Sequence, residues 1–211
     1  MKKIKKAISH FFYKILIIIV RFLLKIIWGY KVEGKENIPS RSFILVANHV
    51  SILDPIVIGA AFDKRLFYLA KKELFKSKIF NPFLRWLGAI DVDRKDFKYE
   101  TWKKINKLIK ENEIIVIFPE GTRNDHPELG LLELKDGAAS LALTHGLPIL
   151  PVGIKGTEKI WRRKKIFPQI KGQIKIRIGK IIEIPKVRRP SKEDVREVNE
   201  KIKVNLMELL K

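Results

Sequence analysis

From residue 43 onward the chain alternates between short, almost unbroken apolar runs and longer stretches with helical spacing. Phe43–Ala47, Leu66–Ala70, Ala89–Val92, Ile114–Phe118 and Ile149–Gly153 are largely apolar and bounded by turn-forming residues, the pattern of strands covered on both faces. Between them, Ile56–Phe62, Phe80–Leu87, Tyr99–Glu111 and Leu134–His145 read as helices. Alternation of this kind predicts an α/β fold with a mixed, partly parallel sheet flanked by helices. Gln173–Ile178 alternates polar and apolar residues, as a half-exposed strand does. Ser191 and Asp194 have capping-box spacing ahead of a final amphipathic helix to Leu210. No repeat, low-complexity tract or Pro/Gly linker divides the sequence. Residues 34–211 therefore read as one domain, preceded by a helical segment over 1–33.

That first segment has a pattern of its own. Basic Met1–Lys6 followed by apolar Ile15–Val20 superficially resembles a signal peptide. However, the longest uncharged run there after Lys14 is six residues, and no small-residue cleavage site follows. Lys14, Arg21 and Lys25 also interrupt Phe11–Trp28, well short of the ~20 apolar residues of a spanning helix. At about 100° per residue, Lys3, His10, Lys14, Arg21 and Lys25 fall within roughly 40° of one line. Phe11, Phe12, Ile15, Leu16, Ile18, Ile19, Phe22, Leu23, Ile26 and Ile27 occupy the other faces. The pattern predicts an amphipathic, membrane-associating helix in the plane of the bilayer interface, its basic heads at lipid phosphates. A helix packed on the core with a solvated basic edge would show the same pattern.

Charge sharpens this picture. The net charge is +21, and its placement matters more than its size. Residues 1–35 carry nine Lys/Arg against Glu33 alone, and residues 159–189 carry twelve against Glu183 alone. Two basic segments thus flank a nearly neutral middle, and such segments seek an anionic partner. Aromatic residues are not interleaved with the basic ones, which argues against nucleic acid. The later segment suits lipid headgroups, the acidic surface of a carrier protein, or simply a solvated surface. With 46% hydrophobic and 32% charged residues, disorder is excluded.

Candidate chemistry is narrowed by what the chain lacks. It has no cysteine, which removes thiol nucleophiles, disulfides and Cys-based zinc sites. Its four histidines are His10, His49, His126 and His145. Ligands of open α/β sheets collect at the carboxyl ends of strands. Here those ends lead into Asn48-His49, Asp91-Val92-Asp93-Arg94, Pro119-Glu120-Gly121-Thr122-Arg123 and Lys155-Gly156-Thr157. His49 and Asp54, five apart, would lie about 140° apart on a regular helix and could not pair within one. With His49 in the strand-exit loop and Asp54 in the first helical turn before Pro55, the carboxylate reaches the far ring nitrogen. So placed, it would orient His49 as a general base. A buried histidine bonded to a neighbouring acid has the same spacing. After the strand Ile114–Phe118, Gly121 would let a phosphate approach backbone N–H groups, and Arg123 offers a bidentate clamp. An ordinary turn with a surface ion pair fits those residues equally well, and Arg94 is a third candidate of this kind.

In combination the motifs resemble the glycerolipid acyltransferases of the PlsC type, the 1-acylglycerol-3-phosphate O-acyltransferases. His49 and Asp54 match the His-x4-Asp block; Gly88, Ile90 and Arg94 match a Gly-x-Ile-x-x-x-Arg block. Phe118–Arg123 matches Phe-Pro-Glu-Gly-Thr-Arg at all six positions, and Pro148–Val152 matches Pro-Ile-x-Pro-Val. Leu69–Leu74 and Lys135–Ala139 extend the likeness, which covers about Gly34 to Gly156. Asn124 stands where the family often has Ser. The resemblance implies transfer of a fatty acyl group from acyl-CoA or acyl-acyl carrier protein, as co-substrate and with no other cofactor or metal, to the sn-2 hydroxyl of lysophosphatidate. It implies His49 as the base, Asp54 as its orienter, and Arg94, Glu120, Gly121, Thr122, Arg123 and Lys71 as the acceptor-binding residues. It places the work at an anionic phospholipid membrane, on the cytoplasmic face of the inner (plasma) membrane, with no nucleic-acid partner.

Overall fold

The computed structural model describes residues 2–78, 80–92, 99–163 and 165–211. In chain order the elements are α1 (Lys2–Trp28), β1 (Lys31–Glu33), β2 (Ile44–Ala47), α2 (Asp54–Ala61), β3 (Leu66–Lys71), α3 (Phe80–Trp86) and β4 (Ala89–Val92). There follow α4 (Tyr99–Lys110), β5 (Ile114–Ile117), α5 (Gly137–His145), β6 (Ile149–Lys155), the single turn α6 (Thr157–Ile160), β7 (Lys175–Ile178) and α7 (Lys192–Leu209). The strands form one seven-stranded sheet in the order β1-β7-β6-β2-β5-β3-β4. Every pairing is parallel except β6 with β7. The sheet is thus mixed and mostly parallel.

The continuous apolar runs have a simple cause: helices cover both faces of the sheet. On β2, Leu45 and Ala47 point into a core shared with Leu24 of α1 and Val57, Ile58 and Ala61 of α2. Ile44 and Val46 point the other way, among Ile105 of α4, Ala139 and Ala142 of α5, and Ile202 and Leu206 of α7. All four β2 residues are fully buried. Strand β2 is therefore the centre of the molecule, and whatever follows it is held firmly.

Most boundaries agree with the apolar pattern to within a few residues, and the exceptions have local reasons. Helix α5 starts at Gly137, not Leu134, because the Lys135 N–H donates to the Pro119 carbonyl (2.8 Å) and holds that stretch extended. The turn α6 and the edge strand β1, a Lys-Val-Glu tripeptide, are too short to produce a period. Strand β7 begins at Lys175 rather than Gln173, after the Ile174 N–H has bonded to the Trp28 carbonyl at the end of α1.

Helix α1 has three faces. Tyr13 and Leu24 are buried, and the helix packs against α2. Arg21 does not point outward as the basic line predicts. Its Nε donates to the Ala60 carbonyl (2.8 Å) and its Nη2 pairs with Asp63 (2.9 Å), both on the C-terminal side of α2. The face away from α2 is apolar and bare: Phe11, Phe12, Ile15, Ile18, Ile19, Phe22, Leu23 and Ile26 are each 38–65% exposed. Among the described residues no helix is long and apolar enough to cross a membrane.

Candidate active site

Three adjacent parallel strands, β6, β2 and β5, deliver their carboxyl ends to one edge of the sheet. His49 leaves β2 in a loop and Asp54 opens α2, with Pro55 in its first turn. Two tyrosine hydroxyls brace that helix: Tyr68 donates to the Pro55 carbonyl (2.8 Å) and Tyr30 to the Val57 carbonyl (2.7 Å). Asn48 ties the end of β2 to β6, its Nδ2 donating to the Ile154 carbonyl (3.0 Å) and its Oδ1 accepting the Ile154 N–H (2.8 Å).

Asp54 is fully buried. Its Oδ2 accepts the backbone N–H groups of Val50 (2.6 Å) and Ser51 (2.8 Å) and faces His49 Nδ1 at 2.8 Å. Its Oδ1 accepts the Thr157 hydroxyl at 2.6 Å. A carboxylate offers only acceptors, so the short Nδ1 contact places the ring proton on Nδ1 and leaves the Nε2 lone pair outward. Nε2 has no hydrogen-bond partner among the described residues. Phe118 stacks on the imidazole with centroids 4.2 Å apart and planes 24° from parallel, fixing the second degree of freedom of the ring. The side chain remains 19% exposed, enough for a reactant to reach it. An imidazole so held can take a proton at one defined point.

Glu120 sits beside this pair but faces backbone. It is 2% exposed; Oε1 accepts the His49 N–H (2.8 Å) and Oε2 accepts the Leu132 N–H (2.9 Å). Burial pushes its carboxyl above the usual range, and the two N–H donors pull against that shift. With both oxygens in use, Glu120 joins the β2 exit to the loop after β5. The Asn124 N–H donates to the His49 carbonyl (2.6 Å), a second bond between the same two segments. Asn124 is itself buried, its amide spanning the Gly130 carbonyl and the His126 N–H.

Next to Phe118 lies a cavity of about 710 Å³. Leu69, Val92, Trp102, Ile117 and Leu141 give it apolar walls; its polar lining includes Lys71, Glu120, Thr122, Lys135, Asp136 and Ser140, with Gly121 beside them. A pocket of that size and mixed lining suits an amphiphile of drug-like bulk. Gly121 makes its turn in the left-handed region (φ 71°), where a side chain would be strained. Thus the predicted residues fall into groups. His49 and Asp54 are paired, Glu120 is joined to their loop, and Lys71 shares a cavity with Glu120, Gly121 and Thr122. Arg123 follows half-buried, with no ion-pair partner among the described residues. Arg94 lies outside the described residues.

Some residues that build the site are not apparent as such from the motifs. Thr157 fastens Asp54, and the Ser51 hydroxyl donates to the Trp161 carbonyl (2.8 Å), tying the β2 exit to the segment after β6. Arg163 reaches Thr122 (3.3 Å) and Asp125 (3.0 Å). The one signal for Thr157 was its place at a strand end. Among the described residues no cluster of His, Asp and Glu could hold a metal ion.

A protein-family model described as Acyltransferase matches residues 29–155, well over half of the chain. The chain belongs to the acyltransferase family. It is 33% identical over 193 residues to the 1-acyl-sn-glycerol-3-phosphate acyltransferase of Bacillus subtilis (strain 168), covering 90% of this chain and 92% of that protein. It is 32% identical over 189 residues to the yeast enzyme of the same name (Saccharomyces cerevisiae), covering 86% of this chain but 59% of the larger relative. The fold is similar to the crystal structure of the 1-acyl-sn-glycerophosphate (LPA) acyltransferase PlsC from Thermotoga maritima. The TM-score is 0.66 at 28% identity, over 99% of this chain and 98% of that one.

Proposed function

We propose that this chain moves a fatty acyl group from acyl-CoA or acyl-acyl carrier protein to the sn-2 hydroxyl of 1-acyl-sn-glycerol 3-phosphate, giving phosphatidate for phospholipid biosynthesis. The observation that carries the reading is the His49 ring, bound through Nδ1 to buried Asp54 at 2.8 Å with Nε2 left for a reactant. The names of the relatives supply the acceptor. Nε2 takes the proton of the acceptor hydroxyl as its oxygen forms a bond to the thioester carbonyl carbon. The tetrahedral adduct then collapses, the C–S bond breaks, and the imidazolium returns its proton to the departing thiolate. Asp54 keeps the ring aligned and opposes the transient positive charge. A thioester is already activated, so no acyl-enzyme is needed. Arg123 and Lys71 receive the acceptor phosphate beside Gly121 and Thr122, with Arg94 assigned to the same task by its motif alone, while Glu120 acts at one remove by holding the loop.

The bare face of α1 and the basic residues of 159–189 would rest on an anionic bilayer, at the cytoplasmic face of the inner membrane. A thiol-release assay with acyl-CoA tests the chemistry. Release should require lysophosphatidate and should vanish in His49→Ala. Equal or faster release with lysophosphatidylethanolamine or glycerol 3-phosphate would overturn the acceptor, and wild-type turnover by His49→Ala would overturn the base.

A further inference from the structure

The loop 161–172, between α6 and β7, combines two properties that rarely coexist at a protein surface. Its neck is fastened: the Gln169 N–H donates to the Ile160 carbonyl (2.8 Å), Trp161 Nε1 donates to the Lys165 carbonyl (2.8 Å), and Ile160 is fully buried. Its tip is bare: Ile166, Phe167 and Ile170 are 80%, 79% and 79% exposed, among the most exposed large apolar residues described. A fastened loop that holds three large apolar side chains in water has a standing reason to be covered. The surroundings say by what. Arg162, Lys165 and Lys171 are exposed around the tip, Arg163 beside them is paired with Asp125, and the sequence from Lys159 to Ile182 contains no acid. Apolar points within a cationic collar match an anionic lipid surface, where rings and aliphatic chains enter the acyl boundary and ammonium and guanidinium groups meet phosphates.

Position strengthens the case. Trp28, the last residue of α1, donates its Nε1 to the Gln169 carbonyl (2.8 Å), so the loop emerges beside the end of α1 that carries exposed Phe22, Leu23 and Ile26. The same loop starts at the site: Trp161 accepts the Ser51 hydroxyl and Arg163 touches Thr122. We infer that Ile166, Phe167 and Ile170 form a second membrane-inserting prong which, with α1, seats the His49 edge of the sheet against anionic phospholipid. This deepens the membrane reading above and rests on it.

Because the chain has no cysteine, a single introduced thiol reports without background. Phe167→Cys, Phe22→Cys and Lys203→Cys, each in the full chain and carrying an environment-sensitive nitrobenzoxadiazole label, are mixed with vesicles of phosphatidylglycerol and phosphatidylcholine. The expected result is a blue shift, with quenching by brominated acyl chains, at positions 22 and 167 and neither at 203. A label at 167 that stays in water while that at 22 enters lipid overturns the prong and leaves the α1 reading standing. Labels in water at both overturn both. In the unlabelled protein, Phe167→Asp should weaken vesicle partitioning about ten-fold, while turnover on a water-soluble short-chain acceptor stays within about two-fold. Unchanged partitioning would overturn the prong.

Discussion

At the scale of single residues, the site depends on a carboxylate that satisfies four donors at once. Removing one should be felt without destroying the rest. Thr157→Val keeps the volume but strips Asp54 Oδ1 of its bond, at a cost of about 1–3 kcal/mol in stability. If Asp54 works by aligning His49, kcat should fall by part of the ~10²–10⁴ that a general base supplies, with KM little changed. Steady-state kinetics beside a denaturant melt check both. Glu120→Gln is the sharper experiment. Its amide can accept one of the two N–H groups but must point its own NH2 at the other, leaving a buried donor unpaired. The expected loss is again about 1–3 kcal/mol. Activity should fall although no charged ligand contact has been removed; full activity would return Glu120 to a bystander.

At the scale of elements, the capping box at the start of α7 is closed in both directions, Ser191 Oγ accepting the Asp194 N–H and Asp194 accepting the Ser191 N–H. Ser191→Ala should cost about 1 kcal/mol, read as a drop in Tm. The N–H and hydroxyl donors of Ser191 hold the Asp194 carboxyl below its usual range. A depressed acid stabilises the fold above its unfolded pKa of about 3.9 and loses that contribution as pH falls. The gap in Tm between the native chain and Asp194→Asn should therefore close below about pH 4. This box, like the five apolar strands and most helices, was legible in the sequence because each depends on local spacing. The His49–Asp54 geometry was legible for the same reason: five positions and a proline determine it. Thr157 and Trp161 were not, since their bonds to the first motif join segments about a hundred positions apart. Nor could periodicity reveal that Arg21 turns in toward Asp63, because a basic residue on a stripe looks the same whether lipid or a carboxylate meets it.

At the scale of the whole molecule, α1 is at once core and surface. Deleting it would uncover the cluster around Leu24, so point changes on its bare face are the cleaner probe. Phe22→Asp with Ile26→Asp should leave the melting temperature within a few degrees and cut sedimentation with anionic vesicles by about ten-fold or more. Binding of the native chain should weaken as salt rises, given its net charge of +21. The bond from Thr157 to Asp54 has a wider consequence. His49 and Asp54 leave the ribosome well before the residue that braces them, so the pair gains its last fastening only once β6 has docked beside β2. Activity and global architecture should then disappear together on warming, with inactivation and near-ultraviolet dichroism tracing a single curve.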